Sequence, residues 1–443
     1  MRACKRAQLD DIVASVSTYR VVYLKITNSS VDSIVEKQGQ SGELFVSKDK
    51  KVFFTELKTL NRDGVATSIR KTLQMMPKLQ LKEDYYGIAD KPFKHGGAHS
   101  YDRKLEQISC DALSDFANEA INSAISNGAT NVAGTIVVGV SNHELATSNG
   151  FSSSAKGSSI TASLRLFKGS ISFQDAYASR VLKGINLDTM AKRSAETVSM
   201  TNRTGRIDRG AYDVIYLPSP AGSLMLNVTH AACMGDVETG SMLTGKLGKA
   251  VASKDLSIYD DGRISSGVAS APFDEEGTKT QRTSVIECGV LKNYLHNFST
   301  ATKYKTKSTG NAGLVRPRPW TLVFNHRKSS QSIDALIRSI DRGILITNTW
   351  YTRFSNYLTG DFSTVPRDLA LYIENGEPKY AVKRGMHGLE HEMVGIRISD
   401  NIMRMLRSTE RAANDARQTF SWDTDGYFFM PSILVRGAHV TVA

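Results

Sequence analysis

Residues 222–236, near the middle of the chain, read GSLMLNVTHAACMGD. The apolar run predicts a helix, and zinc peptidases of the zincin type place two histidines about one turn apart on such a helix. A glutamate next to the first histidine acts on the metal-bound water. In this chain the first histidine is His230, the glutamate position is Ala231, and the positions for the second histidine are Met234 and Gly235. The stretch is therefore predicted to be a metalloprotease helix from which the chemistry has been removed.

The same stretch also allows two enzymatic interpretations. Cys233 follows His230 by three residues, so both side chains could face one side of a helix. A thiolate beside an imidazole can catalyse acyl transfer, and Asp236 or Glu238 could join His230 in an atypical metal site. The simpler alternative is that Cys233 is a small, buried core residue.

The segments that follow carry a resemblance to a known family. They are residues 240–253, 260–262, 271–283, 286–297, 308–312, 343–349, 359–363 and 373–377. Together they closely resemble the TldD/PmbA family, whose members are also labelled modulators of DNA gyrase. The resemblance covers most of residues 205–443 and is most specific over 240–312. TldD-type subunits carry a zinc-binding HExxxH helix, and PmbA (TldE)-type subunits lack it, so with Ala231 and Gly235 the chain resembles the second type.

This resemblance implies a non-catalytic subunit of a TldD/TldE-type zinc metalloprotease complex that acts on unfolded or extended peptides. The chain itself would bind no cofactor, and the zinc would belong to a TldD-type partner in a heterodimer or larger assembly. A homodimer is the other expected assembly when that partner is absent. The family segments also suggest residues that line a substrate chamber, namely Ser308, Thr309, Gly310, Asn311, Asn348, Tyr351, Thr359, Gly360 and Phe362.

Charge and cysteine content limit the functional classes to which the chain could belong. The 443 residues include 56 Lys and Arg against 44 Asp and Glu, a net charge of +12. These basic residues are scattered without long runs, so a primary role in nucleic-acid binding is not expected, although it is kept as an alternative. The four cysteines form no CxxC pair, which argues against a disulfide framework or a cysteine zinc site. With no signal-like N-terminus and no apolar run of ~20 residues, a cytoplasmic protein without a membrane span is expected.

The hydropathy pattern predicts an α+β protein of two domains. Residues 1–204 are expected to form an N-terminal α/β domain, and residues 205–443 a mainly antiparallel β domain that carries the degenerate helix. The N-terminal part is expected to contain helices at 108–127 and 174–198, with a hairpin loop in the serine-rich segment 148–159. A further helix is expected at 399–418.

A second histidine motif lies near the C-terminus. His387, Glu390 and His391 match the inverted zincin pattern HxxEH. That motif requires a stable helix, and Gly385 and Gly388 disfavour one. An inserted loop is therefore predicted, with a metal site or a contact to the partner's metal site as the alternatives.

Overall fold

The fold combines three β-sheets with nine α-helices within the residues that the computed structural model describes, which are 9–91, 101–383, 395–422, 424 and 426–442. The α+β class predicted from the sequence is confirmed. No helix in these ranges is long and apolar enough to cross a membrane.

The N-terminal part is a six-stranded sheet with helices against it. Its strands are β1 (Asp11–Thr27), β2 (Ser30–Lys48), β3 (Lys51–Glu56), β4 (Asn131–Thr147), β5 (Ser152–Lys168) and β6 (Ile171–Ser179). They lie in the order β3-β2-β1-β4-β5-β6, and every neighbouring pair is antiparallel. The helices are α1 (Arg62–Met75), α2 (Arg103–Glu106), α3 (Cys110–Ser126) and α4 (Leu187–Val198), with 3₁₀ turns at Met76–Lys78 and Leu182–Gly184.

Helices α3 and α4 cover the apolar face of this sheet. Leu113 and Ile121 of α3 share a buried core with Ala191 of α4 and with Ile136 and Leu164 of the strands. The strands contribute alternate residues to this core, because every second side chain of a strand faces the same side of the sheet. The predicted helix at 108–127 is thereby confirmed to within two residues.

Two local predictions for this part are wrong. The predicted helix at 174–198 is strand β6 up to Ser179, and only 187–198 is helical, because Ile171 and Phe173 bury alternate positions of a strand. The serine-rich segment is a loop only at 148–151, since β5 begins at Ser152 and pairs with β4 along its length.

The C-terminal part contains the other two sheets. Its strands are β7 (Thr204–Gly205), β8 (Gly210–Tyr216), β9 (Leu256–Asp261), β10 (Arg282–Glu287), β11 (Val290–Leu291), β12 (Leu322–His326), β13 (Arg342–Asn356), β14 (Asp361–Glu374), β15 (Glu377–Val382), β16 (Ile396–Asn401), β17 (Thr409–Ala412), β18 (Arg417–Phe420), β19 (Tyr427–Met430) and β20 (Ile433–Val442). Its helices are α5 (Pro218–Ala231), α6 (Met234–Thr239), α7 (Phe298–Lys303), α8 (Ile333–Arg338) and α9 (Ile402–Ser408). The predicted helix at 399–418 is therefore confined to 402–408.

The two C-terminal sheets are mainly antiparallel. One runs in the order β11-β10-β9-β12-β19-β18. In the other, β8, β20, β16, β14 and β13 pair in sequence, and β13 pairs again with β8, so these five strands close a ring. Closing a sheet on itself removes unpaired edges among the ring strands.

The N-terminal sheet packs against the C-terminal part through β6. Ile171 and Phe173 lie in one buried cluster with Ile215 and Leu371, and the hydroxyl of Ser172 donates to Oδ1 of Asp368 at 2.8 Å. The predicted boundary at 204/205 falls inside β7, which pairs with β15. A two-domain division at that point stays a prediction.

Helix α5 is buried on almost every side, since twelve of its fourteen residues are buried. Pro218 begins it, as expected for the first position of a helix. Close packing requires a glycine at position 222 of this helix. A Cβ atom on Gly222 would lie 2.0 Å from ring carbons of Phe428, which is itself fully buried on β19.

Replacing Gly222 by alanine is expected to destabilise the protein by about 1–3 kcal/mol, because neither the helix nor the Phe428 ring can move without disturbing the core. Gly235→Ala is the matched control. Gly235 also lies in a helix, α6, but its added Cβ would meet Arg316 only at ordinary contact distance. Thermal unfolding of both variants checks this, and equal midpoints would contradict it.

Candidate functional site

The degenerate motif spans a break between two helices. Helix α5 ends at Ala231, α6 begins at Met234, and Cys233 between them is extended, with φ −64° and ψ 130°. A continuous helix would rotate position 235 by about 140° away from position 230, so the break decides the relative direction of the two motif positions. The sequence predicts the helix but not this break.

Hydrogen bonds satisfy the carbonyls at the end of α5. Cys233 donates its backbone N–H to His230 at 2.9 Å and its thiol to Thr229 at 3.5 Å. The hydroxyl of Ser241 donates to the Ala231 carbonyl at 2.8 Å. Leu295 donates its N–H to Ala232 and accepts from Met234. The break between the two helices is thus held in place by Ser241 and Leu295, which follow it in the chain.

The motif positions keep one of the three side chains of a zincin site, His230. Ala231 is buried, and a Cβ atom at position 235 would lie 3.4 Å from Cδ of Arg316, so the methylene groups of this arginine border the position. His230 keeps solvent exposure, and desolvation by the protein around it lowers its pKa while Asp236 opposes this. Within the described ranges no three His, Cys, Asp or Glu side chains lie close enough together to hold a metal.

The two enzymatic alternatives around His230 also lack their partners. The Cys233 side chain is buried, and burial raises the pKa of its thiol well above the usual value. Glu238 is engaged elsewhere, since its carboxylate accepts from Lys303 at 2.7 Å. Within the described residues, no hydrogen bond or ion pair joins the side chain of His230 to that of Cys233, Asp236 or Glu238, although Asp236 is near enough to affect the pKa of His230.

An open cleft of about 770 Å³ lies directly beside the motif, and we call it the motif cleft. Its lining residues are Met234, Val237, Gly245, Leu247, Gln281, Arg282, Thr283, Ser284, Lys292, Asn293, Tyr294, His296, Tyr304, Thr306, Lys307, Ser308 and Thr309. These residues come from α6 and the segment after it, from β10 and from the segments on either side of α7. The volume is in the range of ordinary ligand sites.

Two of the predicted chamber residues, Ser308 and Thr309, line this cleft. The hydroxyl of Thr309 accepts from the backbone N–H of His296 at 2.7 Å, and Ser308 accepts from the N–H of Gly310 at 3.2 Å. Gly310 has φ +67°, and a Cβ there would lie 2.4 Å from the carbonyl oxygen of Lys279. The turn that presents the two hydroxyls therefore requires glycine.

Asn311 is fully buried, behind the cleft rather than in it. Its Nδ2 donates to Oδ2 of Asp260 at 2.6 Å and to the Arg318 carbonyl at 2.9 Å. Asp260 also accepts from the N–H of Trp320 at 2.6 Å. Burial raises the pKa of Asp260 to about 7, against the opposing hydrogen bonds from Asn311 and Trp320. Asn311 thus acts as a structural bridge between β9 and the loop that precedes β12.

The remaining chamber candidates lie along the β13–β14 hairpin. Asn348 is buried and its Nδ2 donates to Gln174 of the N-terminal sheet at 3.2 Å. Tyr351 is 54% exposed, and its φ of +54° is unusual for a non-glycine residue. Phe362 is part of the main C-terminal core. These three side chains do not share one surface.

The tip of that hairpin reaches the segment after the motif. Thr359 is exposed and donates to the carboxylate of Asp361. Gly360 is buried, and a Cβ there would lie 3.0 Å from the sulfur of Met242. The hairpin tip therefore covers residues near 242 and does not line the motif cleft.

Sequence reasoning missed the residues that give the cleft its character, which are Arg282, Lys292, Tyr294, His296 and Tyr304. His296 lies in the family-like run, yet nothing in its neighbours indicates that it faces a cleft. Burial lowers the pKa of His296 to about 4, so its imidazole is neutral at pH 7. Its Nδ1 lies 3.2 Å from the hydroxyl of Thr300.

The acidic segment at 274–276 has the architectural role that turn residues suggest. Oδ1 of Asp274 accepts from the backbone N–H groups of Glu276 and Thr278, and Oδ2 accepts from that of Ala312 at 2.9 Å. Burial raises the pKa of both Asp274 and Glu276. The second histidine motif, His387, Glu390 and His391, lies outside the described residues.

Comparison with known proteins gives one family. A model of the PmbA/TldA metallopeptidase C-terminal domain matches residues 209–442. Metalloprotease PmbA of Escherichia coli O157:H7 is 29% identical over 228 residues, which are 51% of this chain and 45% of that protein. An uncharacterized protein of Methanocaldococcus jannaschii is 34% identical over 151 residues, 33% of this chain and 35% of that protein. Each match thus spans less than half of the relative.

Two solved structures resemble the chain over its length. A Thermotoga maritima protein described as a candidate modulator of a DNA gyrase has a TM-score of 0.82 at 24% identity, covering 99% of this chain and 98% of that one. TldE from Thermococcus kodakarensis has a TM-score of 0.83 at 19% identity, covering 98% of each chain. At these identities the likeness establishes the fold.

Cys233 is expected to be unreactive in the folded protein, because its thiol is buried and rarely ionised. The test uses Cys4→Ser/Cys110→Ser/Cys288→Ser, in which Cys233 is the remaining cysteine. A thiol-reactive dye at pH 7 should label this variant only after denaturation. Rapid labelling of the folded variant would instead indicate an accessible nucleophile.

Asp260 should make the stability depend on pH. An unfolded Asp ionises near pH ~3.9 and the folded Asp260 near about 7, so the folded state binds the proton more tightly. The free energy of unfolding should then fall as pH rises through this window. Relative to Asp260→Asn, we expect the wild type to lose about 2 kcal/mol between about pH 5 and about pH 7. Urea unfolding at both values measures this, and parallel profiles would exclude it.

Proposed function

The chain belongs to the TldD/PmbA metallopeptidase family, and from this premise we propose that it is a TldE/PmbA-like subunit without catalytic zinc. It pairs with a zinc-bearing TldD-type chain, in a heterodimer or larger assembly, to form a protease for unfolded or extended peptides. The zinc of the partner would activate the water that attacks the peptide bond.

The observation that supports this proposal most directly is the end of α5. Ala231 replaces the glutamate of the HExxxH pattern, and Gly235 replaces the second histidine. The methylene groups of Arg316 border position 235, where the motif would need a second histidine. A chain with this geometry serves the reaction through binding rather than through its own metal.

The motif cleft supplies the binding surface in this proposal. It lies beside the degenerate motif and has hydroxyl and amide side chains such as Ser308, Thr309 and Asn293 along its wall. Such groups hold an extended backbone without selecting one sequence. The subunit would form one wall of a substrate chamber, and the partner would form the wall that carries the metal.

The cytoplasm is the compartment that we propose for this complex. Cys110 and Cys288 are exposed and unpaired among the described residues. Free surface thiols are usual in reducing compartments and uncommon in secreted proteins.

Zinc content tests the proposal. The purified chain, incubated with zinc and desalted, should retain almost none by elemental analysis, whereas a TldD-type chain treated in parallel should retain about one ion. Unfolded peptides should be cleaved by the mixture of the two chains and not by this chain alone. A chelator-sensitive peptidase activity of this chain alone that is lost in His230→Ala would reject the proposal.

A further inference from the structure

We propose that the motif cleft selects peptide segments that carry acidic side chains, an inference that rests on the proposed peptide-binding role of this subunit. It assigns a substrate preference to a complex that otherwise needs only an extended backbone. The observations that carry it are the charges and the aromatic content of the cleft wall.

The cleft is lined by cations and by no carboxylate. Arg282, Lys292 and Lys307 are among its lining residues, while none of the residues that line it is Asp or Glu. Lys292 and Lys307 are exposed, and neither forms a salt bridge with a described residue. Low-dielectric walls around unpaired charges of one sign attract ligands of the opposite sign.

Arg282 is held in place by an aromatic ring and by an acid, Asp261, that does not line the cleft. Its guanidinium lies 4.0 Å from the centroid of the Tyr259 ring, and its Nε is 3.9 Å from a carboxylate oxygen of Asp261. Its side chain is still half exposed. Stacking on an aromatic ring orients the guanidinium while leaving its N–H donors available for an incoming carboxylate.

A second acid near the cleft, Glu238, is already paired with a cation. Glu238 lies close to His296, but its carboxylate accepts from Lys303 at 2.7 Å. Lys303 is itself shared with Asp84 at 2.9 Å. His296 is neutral at pH 7, so the net charge of the cleft wall comes from the arginine and the two lysines.

The aromatic content of the cleft favours a peptide over a nucleic acid. Tyr304 is 47% exposed, whereas Tyr294 is nearly buried and its hydroxyl donates to the Leu243 carbonyl at 2.7 Å. Single-stranded nucleic acids are usually held by successive exposed rings on which bases stack. One exposed ring among three cations fits the carboxylates of an acidic segment better.

The test is fluorescence anisotropy with the purified full chain and two labelled, unstructured peptides of about ten residues. One contains several Asp and Glu residues, and the other has Asn and Gln in their places. We expect the acidic peptide to bind about tenfold more tightly. Raising the salt concentration from about 0.05 M to about 0.5 M should remove most of this difference.

Matched charge variants locate the effect. Lys292→Gln/Lys307→Gln should weaken binding of the acidic peptide to the level of the amide peptide and leave the amide peptide nearly unchanged. Lys71→Gln/Lys104→Gln removes the same charge from exposed positions of the N-terminal part that do not line the cleft. This control should keep the wild-type preference, and circular dichroism checks that both variants are folded.

Four outcomes would overturn the inference. Equal affinity for the two peptides would reject acid selection while leaving the proposed subunit role intact. Loss of the preference in the control variant would reduce it to an effect of overall charge. Tighter binding of a single-stranded oligonucleotide than of the acidic peptide would assign the cleft to nucleic acid. No binding of either peptide, with or without a TldD-type partner, would reject both the inference and the peptide-binding role.

Discussion

The end of helix α5 lies inside the protein, so each of its last carbonyls needs a donor from the protein itself. Cys233, Ser241 and Leu295 provide these donors from the break, from the segment after α6 and from the segment before α7. The same bonds therefore hold the cleft walls in their places beside α6. The shape of the motif cleft is a consequence of how this buried helix ends.

Buried carboxyls hold the loops behind the cleft. Asp260 binds Asn311 and the backbone of Trp320, and Asp274 accepts three backbone N–H groups. An unpaired buried donor costs about 1–3 kcal/mol, so each acid replaces several such penalties with one desolvated group. The raised pKa of Asp260 and Asp274 is the cost of that arrangement. The segments that resemble the family in this region therefore contain buried residues that hold the fold together, as well as residues that line the cleft.

Sequence reasoning predicted some elements well and others poorly, for physical reasons. Helix α3 has a 3.6-residue apolar period and a Ser109 cap, and both are local signals. The apolar pattern of the segment that contains β6 is compatible with a helix and with a strand. Pairing with β5, which the sequence does not show, makes it a strand. Of the chamber candidates, Ser308 and Thr309 line the cleft, whereas Asn311 and Phe362 are buried. Exposure depends on contacts between distant segments, and a single sequence does not contain them.

The sequence by itself determined the chemistry that is absent from the motif. In any fold, Ala231 cannot act on a metal-bound water as a glutamate does, and Gly235 has no side chain to bind zinc. It also determined the family, because the segments that resemble the family can be recognised from the order of their residues alone. Only the tertiary structure decided that Arg282, Lys292 and Lys307 face one cleft and that no carboxylate lines it. Charge neutralisation acts through space over a few ångströms, and the separation of these residues along the chain does not predict which acids lie within that distance.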